Sequence, residues 1–159
     1  KKSSEPWYYE QITLGYNYRM TDIHAALGKS QLKSLENFIK KRKVIAKKYN
    51  LSLKELPLKI ISEKNLLNSS NHLYIVRVIK DNIKKSRKYI FNYLITNKIF
   101  VNLHYIPVYH HPFFRKMGFK KGHCPEAVKY YGEAISIPIF PSMTDKEQNR
   151  VISCLKKCF

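Results

Sequence analysis

The stretch Leu14-Gly-Tyr-Asn-Tyr-Arg-Met-Thr-Asp-Ile-His-Ala-Ala-Leu-Gly28 joins two different kinds of sequence. Residues 1–20 are aromatic and irregular: Trp7, Tyr8, Tyr9, Tyr16 and Tyr18 are punctuated by Pro6 and Gly15. That pattern predicts an extended arm or loop. Beyond it, Ile23, Leu27, Gln31, Leu35, Phe38, Arg42, Ile45 and Tyr49 recur at spacings of three or four. Those spacings predict one long amphipathic helix over 21–49, with Thr21 or Asp22 as its N-cap. An amide (Asn17), a guanidinium (Arg19) and a helix N-terminus therefore fall within a few residues. Together they suit an anion. An ordinary capped helix with an aromatic staple accounts for the same residues equally well.

Further along, residues 50–70 read as a loop around Pro57. His72-Leu-Tyr-Ile-Val-Arg-Val-Ile79 is β-branched and aromatic and predicts a strand. Ser86 to Asn97 predicts a second helix, which Asn97 can end in a left-handed conformation. Phe100 to Tyr105 alternates and predicts a second strand, closed by Pro107. Pro125 to Ala134 predicts a helix with proline in its first turn. Ile135 to Ile139 predicts a short third strand, which Pro138 places at an edge or an end. A last helix runs to Lys157, and Thr144 with Glu147 has capping-box spacing. Mixed helices and strands with one small sheet define a two-layer α+β domain.

The 159 residues carry a formal charge of +19. A basic nucleic-acid-binding module is one reading of that charge. Twenty-four lysines stand against six arginines, however, and Lys, Ile, Asn, Tyr and Phe are abundant throughout. Bias toward A/T-rich codons accounts for that composition, and no nucleic-acid-binding motif accompanies it. The lysines from Lys40 to Lys48 read as a solvated, dipole-complementing helix end. No apolar run has transmembrane length and no signal-peptide core is visible, so neither membrane nor secretion is expected. Three cysteines, Cys124, Cys154 and Cys158, form no disulfide framework and fit a cytoplasmic protein.

Phosphate-binding glycine loops and the nucleophile elbow are absent from the sequence. The densest polar constellation is His104, Tyr105, His110, His111, His123 and Cys124. These residues are spread over several elements, so a substrate mouth fits them better than a metal site, and no metal is expected.

Four blocks, taken in order, resemble the DegT/DnrJ/EryC1/StrS family of pyridoxal-phosphate-dependent nucleotide-sugar aminotransferases. They are Leu14 to Gly28 with Gln31-Leu, Ser70-Asn-His-Leu-Tyr-Ile, Val101-Asn-Leu-His-Tyr-Ile-Pro-Val108, and Cys124-Pro through Ser136-Ile-Pro-Ile-Phe-Pro-Ser-Met-Thr144. His111-Pro-Phe-Phe-Arg-Lys-Met-Gly-Phe119 is similar in flavour to the pseudaminic-acid-pathway aminotransferase, which aminates C4 of a UDP-4-keto-6-deoxy sugar.

The resemblance implies the C-terminal small domain of the type I, aspartate aminotransferase-like fold over 21–159, with a small, mainly antiparallel sheet. It makes residues 1–20 an arm reaching the partner of a homodimer. Asn17 would reach the cofactor phosphate of the other subunit. Arg19 would hold phosphate of cofactor or nucleotide sugar, and His104 and Tyr105 would line the substrate pocket. Glutamate is the expected amino donor. Lys98 departs from the family, where glycine ends the helix. The family's Ser-x-His-x-x-Lys segment, whose lysine forms the Schiff base, has no match, so the chain alone is expected to be an inactive piece. The other readings are the basic module and a non-catalytic dimerisation remnant. Apolar surface on the arm and long helix, Trp7 included, is expected to drive self-association.

Overall fold

The computed structural model describes residue 10 and residues 12–79 and 85–159. The chain divides into two compact units, one ending at Ser34 and the other spanning Leu35–Phe159. Trp7, Tyr8 and Tyr9 of the expected arm lie outside the described residues.

In the first unit, residues 14–21 have no regular secondary structure and lead into α1 (Asp22–Leu32). Thr21 is the N-cap and its hydroxyl accepts from the His24 N–H at 3.3 Å. No residue of α1 is buried. Ile12, Leu14, Tyr16, Tyr18, Met20, Ile23, Leu27 and Leu32 are all exposed.

The expected single helix over 21–49 is two helices. A turn at Lys33 and Ser34 separates α1 from α2 (Leu35–Leu53). There the Ser34 N–H bonds the Gln31 carbonyl three residues back, at 3.0 Å, instead of four. Lys33 keeps right-handed helical dihedrals, so the apolar spacing runs on across the break. The sequence pattern therefore looks continuous where the hydrogen-bond ladder is not.

The second unit is built on a three-stranded antiparallel sheet, ordered β1 (Leu58–Lys59), β2 (Tyr74–Val78), β3 (Ala134–Ile137). Central β2 pairs Tyr74 with Ile137 and Arg77 with Ala134. Strand alternation sends Tyr74, Val76 and Val78 into the core, where all three are buried. Against that face lie Tyr49 and Leu53 of α2, Ile90 and Leu94 of α4 (Arg87–Thr96), and Val151 and Leu155 of α7 (Asp145–Lys156). Tyr49 ties the layers together. Its ring centroid is 4.9 Å from that of Tyr74, and its hydroxyl donates to the Pro138 carbonyl at 2.9 Å. Tyr74 donates in turn to Asn50 Oδ1. Burial raises both phenols above the ordinary tyrosine range. At the other end of α2, Arg42 donates to the Ser70 carbonyl at 2.9 Å, next to buried Asn71.

On the opposite sheet face, Arg77 meets Glu133 of α6 (Pro125–Glu133) through Nη2 at 2.6 Å and lies 5.5 Å over the Tyr130 ring. All of β3 is buried, and Pro138 closes it, as an edge strand ending in proline requires.

Three local readings are corrected. The 50–70 loop contains β1 and a short helix, α3 (Glu63–Asn68), capped by Ser62. The expected strand over 100–105 is reduced to one bridge, between Asn102 and Ser136. Asn97 does not take the left-handed position, its φ being −83°; Lys98 does, at +58°. The Ile99 N–H bonds the Leu94 carbonyl at 2.9 Å and the Lys98 N–H bonds Ile95 at 2.8 Å. This is the paired termination in which a left-handed residue follows the helix, and buried Ile99 and Leu94 supply its apolar contact. Asn97 contributes differently, donating its side-chain amide to the Tyr93 carbonyl at 2.8 Å. The capping box of α7 is present in full.

Candidate active site

The candidate residues form two pairs. In the first unit, Arg19 Nε donates to Asn17 Oδ1 at 2.8 Å, and both side chains are exposed. The bond uses the one atom of Asn17 that cannot donate. The Asn17 NH2 and the two terminal amino groups of Arg19 remain as donors. A cationic fork beside an amide suits the oxygens of a phosphate group. The Tyr16 and Tyr18 rings stack on each other at 5.1 Å, on either side of Asn17 in sequence.

In the second unit, His104 and Tyr105 follow the bridge residue Asn102. The peptide groups of Asn102 and Ser136 exchange hydrogen bonds of 3.0 and 2.8 Å, which fixes this segment against the edge strand. His104 is half-buried, and its Nδ1 lies 2.7 Å from Ser136 Oγ. Tyr105 is exposed, with its ring edge-on to that of His104 at 4.6 Å. The pair thus consists of one imidazole held from beneath and one phenol presented outward.

The remaining histidines do not join them in one ligand set. A 3-10 turn at Val108–His110 and α5 (Pro112–Lys116) carry an aromatic cluster instead. His110 packs edge-on against Tyr109 and Tyr131, and His123 contacts Tyr109 and Phe119. Tyr109 donates to the Cys124 carbonyl at 3.0 Å. Among the described residues no three His, Cys, Asp or Glu side chains are grouped to hold a metal ion. Cys154 and Cys158 are free thiols, with Cys158 Sγ directed to the Cys154 carbonyl.

Ser136 was missed as a functional candidate. Its signal is a hydroxyl in the middle of the apolar run Ala134–Ile137.

A small three-stranded antiparallel sheet packed with helices is the architecture of the small domain of pyridoxal-phosphate-dependent sugar aminotransferases. The chain belongs to the DegT/DnrJ/EryC1/StrS aminotransferase family, whose model matches residues 1–156.

Among similar proteins, a protein of Methanocaldococcus jannaschii without assigned function is 40% identical over 98% of this chain and 41% of its own length. The spore coat polysaccharide biosynthesis protein SpsC of Bacillus subtilis is 33% identical over 97% of this chain and 40% of its own. The UDP-4-amino-4,6-dideoxy-N-acetyl-beta-L-altrosamine transaminase of Campylobacter jejuni is 32% identical over 89% and 37%. Of solved structures, the sugar aminotransferase Spr1654 of Streptococcus pneumoniae superimposes with a TM-score of 0.83 at 28% identity, over 96% of this chain and 38% of that one. Helicobacter pylori PseC, an aminotransferase of pseudaminic acid biosynthesis, gives 0.81 at 26%, over 99% and 42%. Spr1654 is solved in PLP and PMP forms, and pyridoxal phosphate is the cofactor of this family. The chain spans about two fifths of the length of these relatives. Among the described residues no helix is long and apolar enough to cross a membrane.

Proposed function

We propose that this chain is the C-terminal small domain and dimer-crossing arm of a cytoplasmic pyridoxal-phosphate-dependent aminotransferase. The reaction is amination of a keto group on a UDP-linked deoxysugar, with glutamate as donor, for cell-surface glycan synthesis. The observation that carries this reading is the Asn17–Arg19 pair, a preformed phosphate donor set within the family's own motif. The donor chemistry fits the cofactor: an amide and a guanidinium, already oriented by their mutual bond, match phosphate oxygens.

When bound, pyridoxal phosphate supplies the electron sink for amino transfer. The chain's own residues bind and orient. Asn17 holds the cofactor phosphate of the partner subunit, and Arg19 adds positive charge against that phosphate or the substrate diphosphate. His104 and Tyr105 line the sugar-nucleotide pocket, the phenol offering a donor-acceptor group and the imidazole a fixed nitrogen. The lysine that bonds the cofactor belongs to the family's N-terminal domain. The pseudaminic-acid precursor is the favoured sugar, on the His-Tyr-Ile-Pro-Val and His-Pro-Phe-Phe segments and on the C. jejuni relative's similarity.

The test is a hybrid in which this chain replaces the matching segment of the C. jejuni transaminase. Amination of that enzyme's keto-sugar is expected to persist, and Asn17→Ala is expected to weaken cofactor retention. A folded, dimeric hybrid without turnover would count against the assignment.

A further inference from the structure

Ser136 is a polar residue in the middle of a buried strand, 5% exposed and flanked by Ile135 and Ile137. It pairs opposite Ile75, and Ala134 pairs opposite Arg77. Alternation therefore turns its side chain to the Arg77 face of the sheet, away from Tyr74 and Val76. A buried hydroxyl is costly without a partner. Among the described residues its Oγ has one, His104 Nδ1 at 2.7 Å.

The direction of that bond follows from the chemistry of the two groups. Serine has one hydroxyl proton and spare lone pairs. If Nδ1–H donated to Oγ, the buried hydroxyl proton would face no acceptor. If Oγ–H donates to Nδ1, the proton is satisfied and only lone-pair capacity goes unused, the milder defect. In the neutral ring the remaining proton then sits on Nε2. Tyr105, edge-on to the ring at 4.6 Å, packs against the imidazole from its own position in the chain.

We propose that Ser136 is a positioning residue that fixes His104 as its Nε2–H tautomer, so that His104 presents an N–H donor to an acceptor oxygen of a sugar nucleotide. The ligand class rests on the function proposed above; the tautomer and its cause do not. His104 is then a reader of hydroxyl, carbonyl or phosphate oxygen, and its Nε2 is unavailable as a base.

The test is two-bond proton–nitrogen NMR of the 15N-histidine-labelled chain at about pH 9, well above the ordinary imidazole value of about 6.5. The His104 signals are assigned by their loss in His104→Gln. The expected spectrum has an unprotonated, hydrogen-bonded Nδ1 and a protonated Nε2. In Ser136→Ala, Nδ1 is expected to move toward the position of an unbonded nitrogen and a second tautomer to emerge; Ser136→Thr restores the original signals. A protonated Nδ1 in the unaltered chain overturns the proposal, and so do His104 signals unmoved by Ser136→Ala. Should Ser136→Ala fail to fold, the unaltered chain's tautomer still decides. UDP-N-acetylglucosamine is then titrated in. A shift of the His104 Nε2–H is expected. Shifts elsewhere with Nε2 unmoved overturn the donor role. No response at any signal counts instead against the sugar-nucleotide reading, and leaves the tautomer result standing as support for Ser136 as the positioning residue.

Discussion

Tyr49→Phe removes one oxygen from the centre of the core. The ring stays, and with it the packing against Tyr74 at 4.9 Å. What goes is the hydroxyl's bond to the Pro138 carbonyl at 2.9 Å, which ties α2 to the segment leaving β3. A net hydrogen bond of this kind is worth about 1 kcal/mol, and a half-buried carbonyl deprived of its donor brings the loss to about 1–2 kcal/mol. For a chain of this size that lowers the melting temperature by roughly 2–8 °C.

The pH dependence is the sharper signature. Burial first, and the neighbouring Tyr74 second, raise the Tyr49 hydroxyl above its ordinary value of 10.0. Above about pH 10 the unfolded chain gives up this proton while the folded chain keeps it. The folded state then binds more protons, so stability falls with rising pH by about 1.4 kcal/mol per unit from this group alone. Tyr49→Phe lacks that term. Its deficit is therefore full at neutral pH and narrows above pH 10, until near pH 11 the two proteins unfold at similar urea concentrations. Urea titrations from pH 7 to pH 11, with equal slopes in both proteins, provide the measurement. A deficit that stays constant with pH, or no deficit at all, would refute the placement of this hydroxyl.

Three further substitutions probe separate parts of the fold. Lys98→Gly relieves a left-handed residue at φ +58° and is expected to stabilise by about 1 kcal/mol in urea, whereas a loss would contradict the helix ending described. Glu133→Gln leaves Arg77 facing a neutral oxygen instead of the carboxylate 2.6 Å away. A cost of about 1–2 kcal/mol is expected, with little change between low and high salt because the pair is half-buried. Thr144→Ala removes the cap of α7 and should cost about 1 kcal/mol by thermal unfolding. Backbone and side-chain hydrogen bonds from Thr144 hold the Glu147 carboxyl below its ordinary range. Thr144→Ala keeps the larger, backbone contribution and removes only the hydroxyl, so an NMR titration of Glu147 should move part of the way up toward the usual glutamate value, and an unmoved titration would contradict the hydroxyl's bond to that carboxylate.

Long periodic segments were legible from residues alone, because burial of one helix face writes itself into spacing. Ile45, Tyr49 and Leu53 point inward as that rule demands. The same rule concealed the turn at Lys33 and Ser34, since a residue that keeps helical dihedrals leaves the spacing intact. Two-residue β1 and six-residue α3 are too short to carry a period. The alternation at 100–105 promised a strand, but only Asn102 finds a partner on β3.

At the site, the closeness of Asn17 and Arg19 was legible because they lie two residues apart, and their side chains do bond each other. His104 and Tyr105 stood out as part of a dense polar constellation, and the family motif singled the pair out from it. Ser136 lay 32 residues from the imidazole it contacts, and no local pattern joins such a pair. The exposure expected of the arm and first helix is present in Tyr16, Tyr18, Ile23 and Leu27, while Trp7 lies outside the described residues.

The central claim is that Asn17 serves a cofactor site whose lysine belongs to another subunit. Mixed dimers of the C. jejuni hybrid test it most directly. One partner carries Asn17→Ala; the other has an intact Asn17 but lacks the cofactor lysine. The homodimer without the cofactor lysine has no turnover, and the Asn17→Ala homodimer, which holds the cofactor more weakly, is assayed at limiting cofactor, where its own activity is low. If Asn17 acts across the dimer, each mixed dimer regains one working site, and transaminase activity appears when the two are unfolded and refolded together. If Asn17 serves its own subunit, no mixed dimer has a complete site, and the absence of recovered activity would contradict the account.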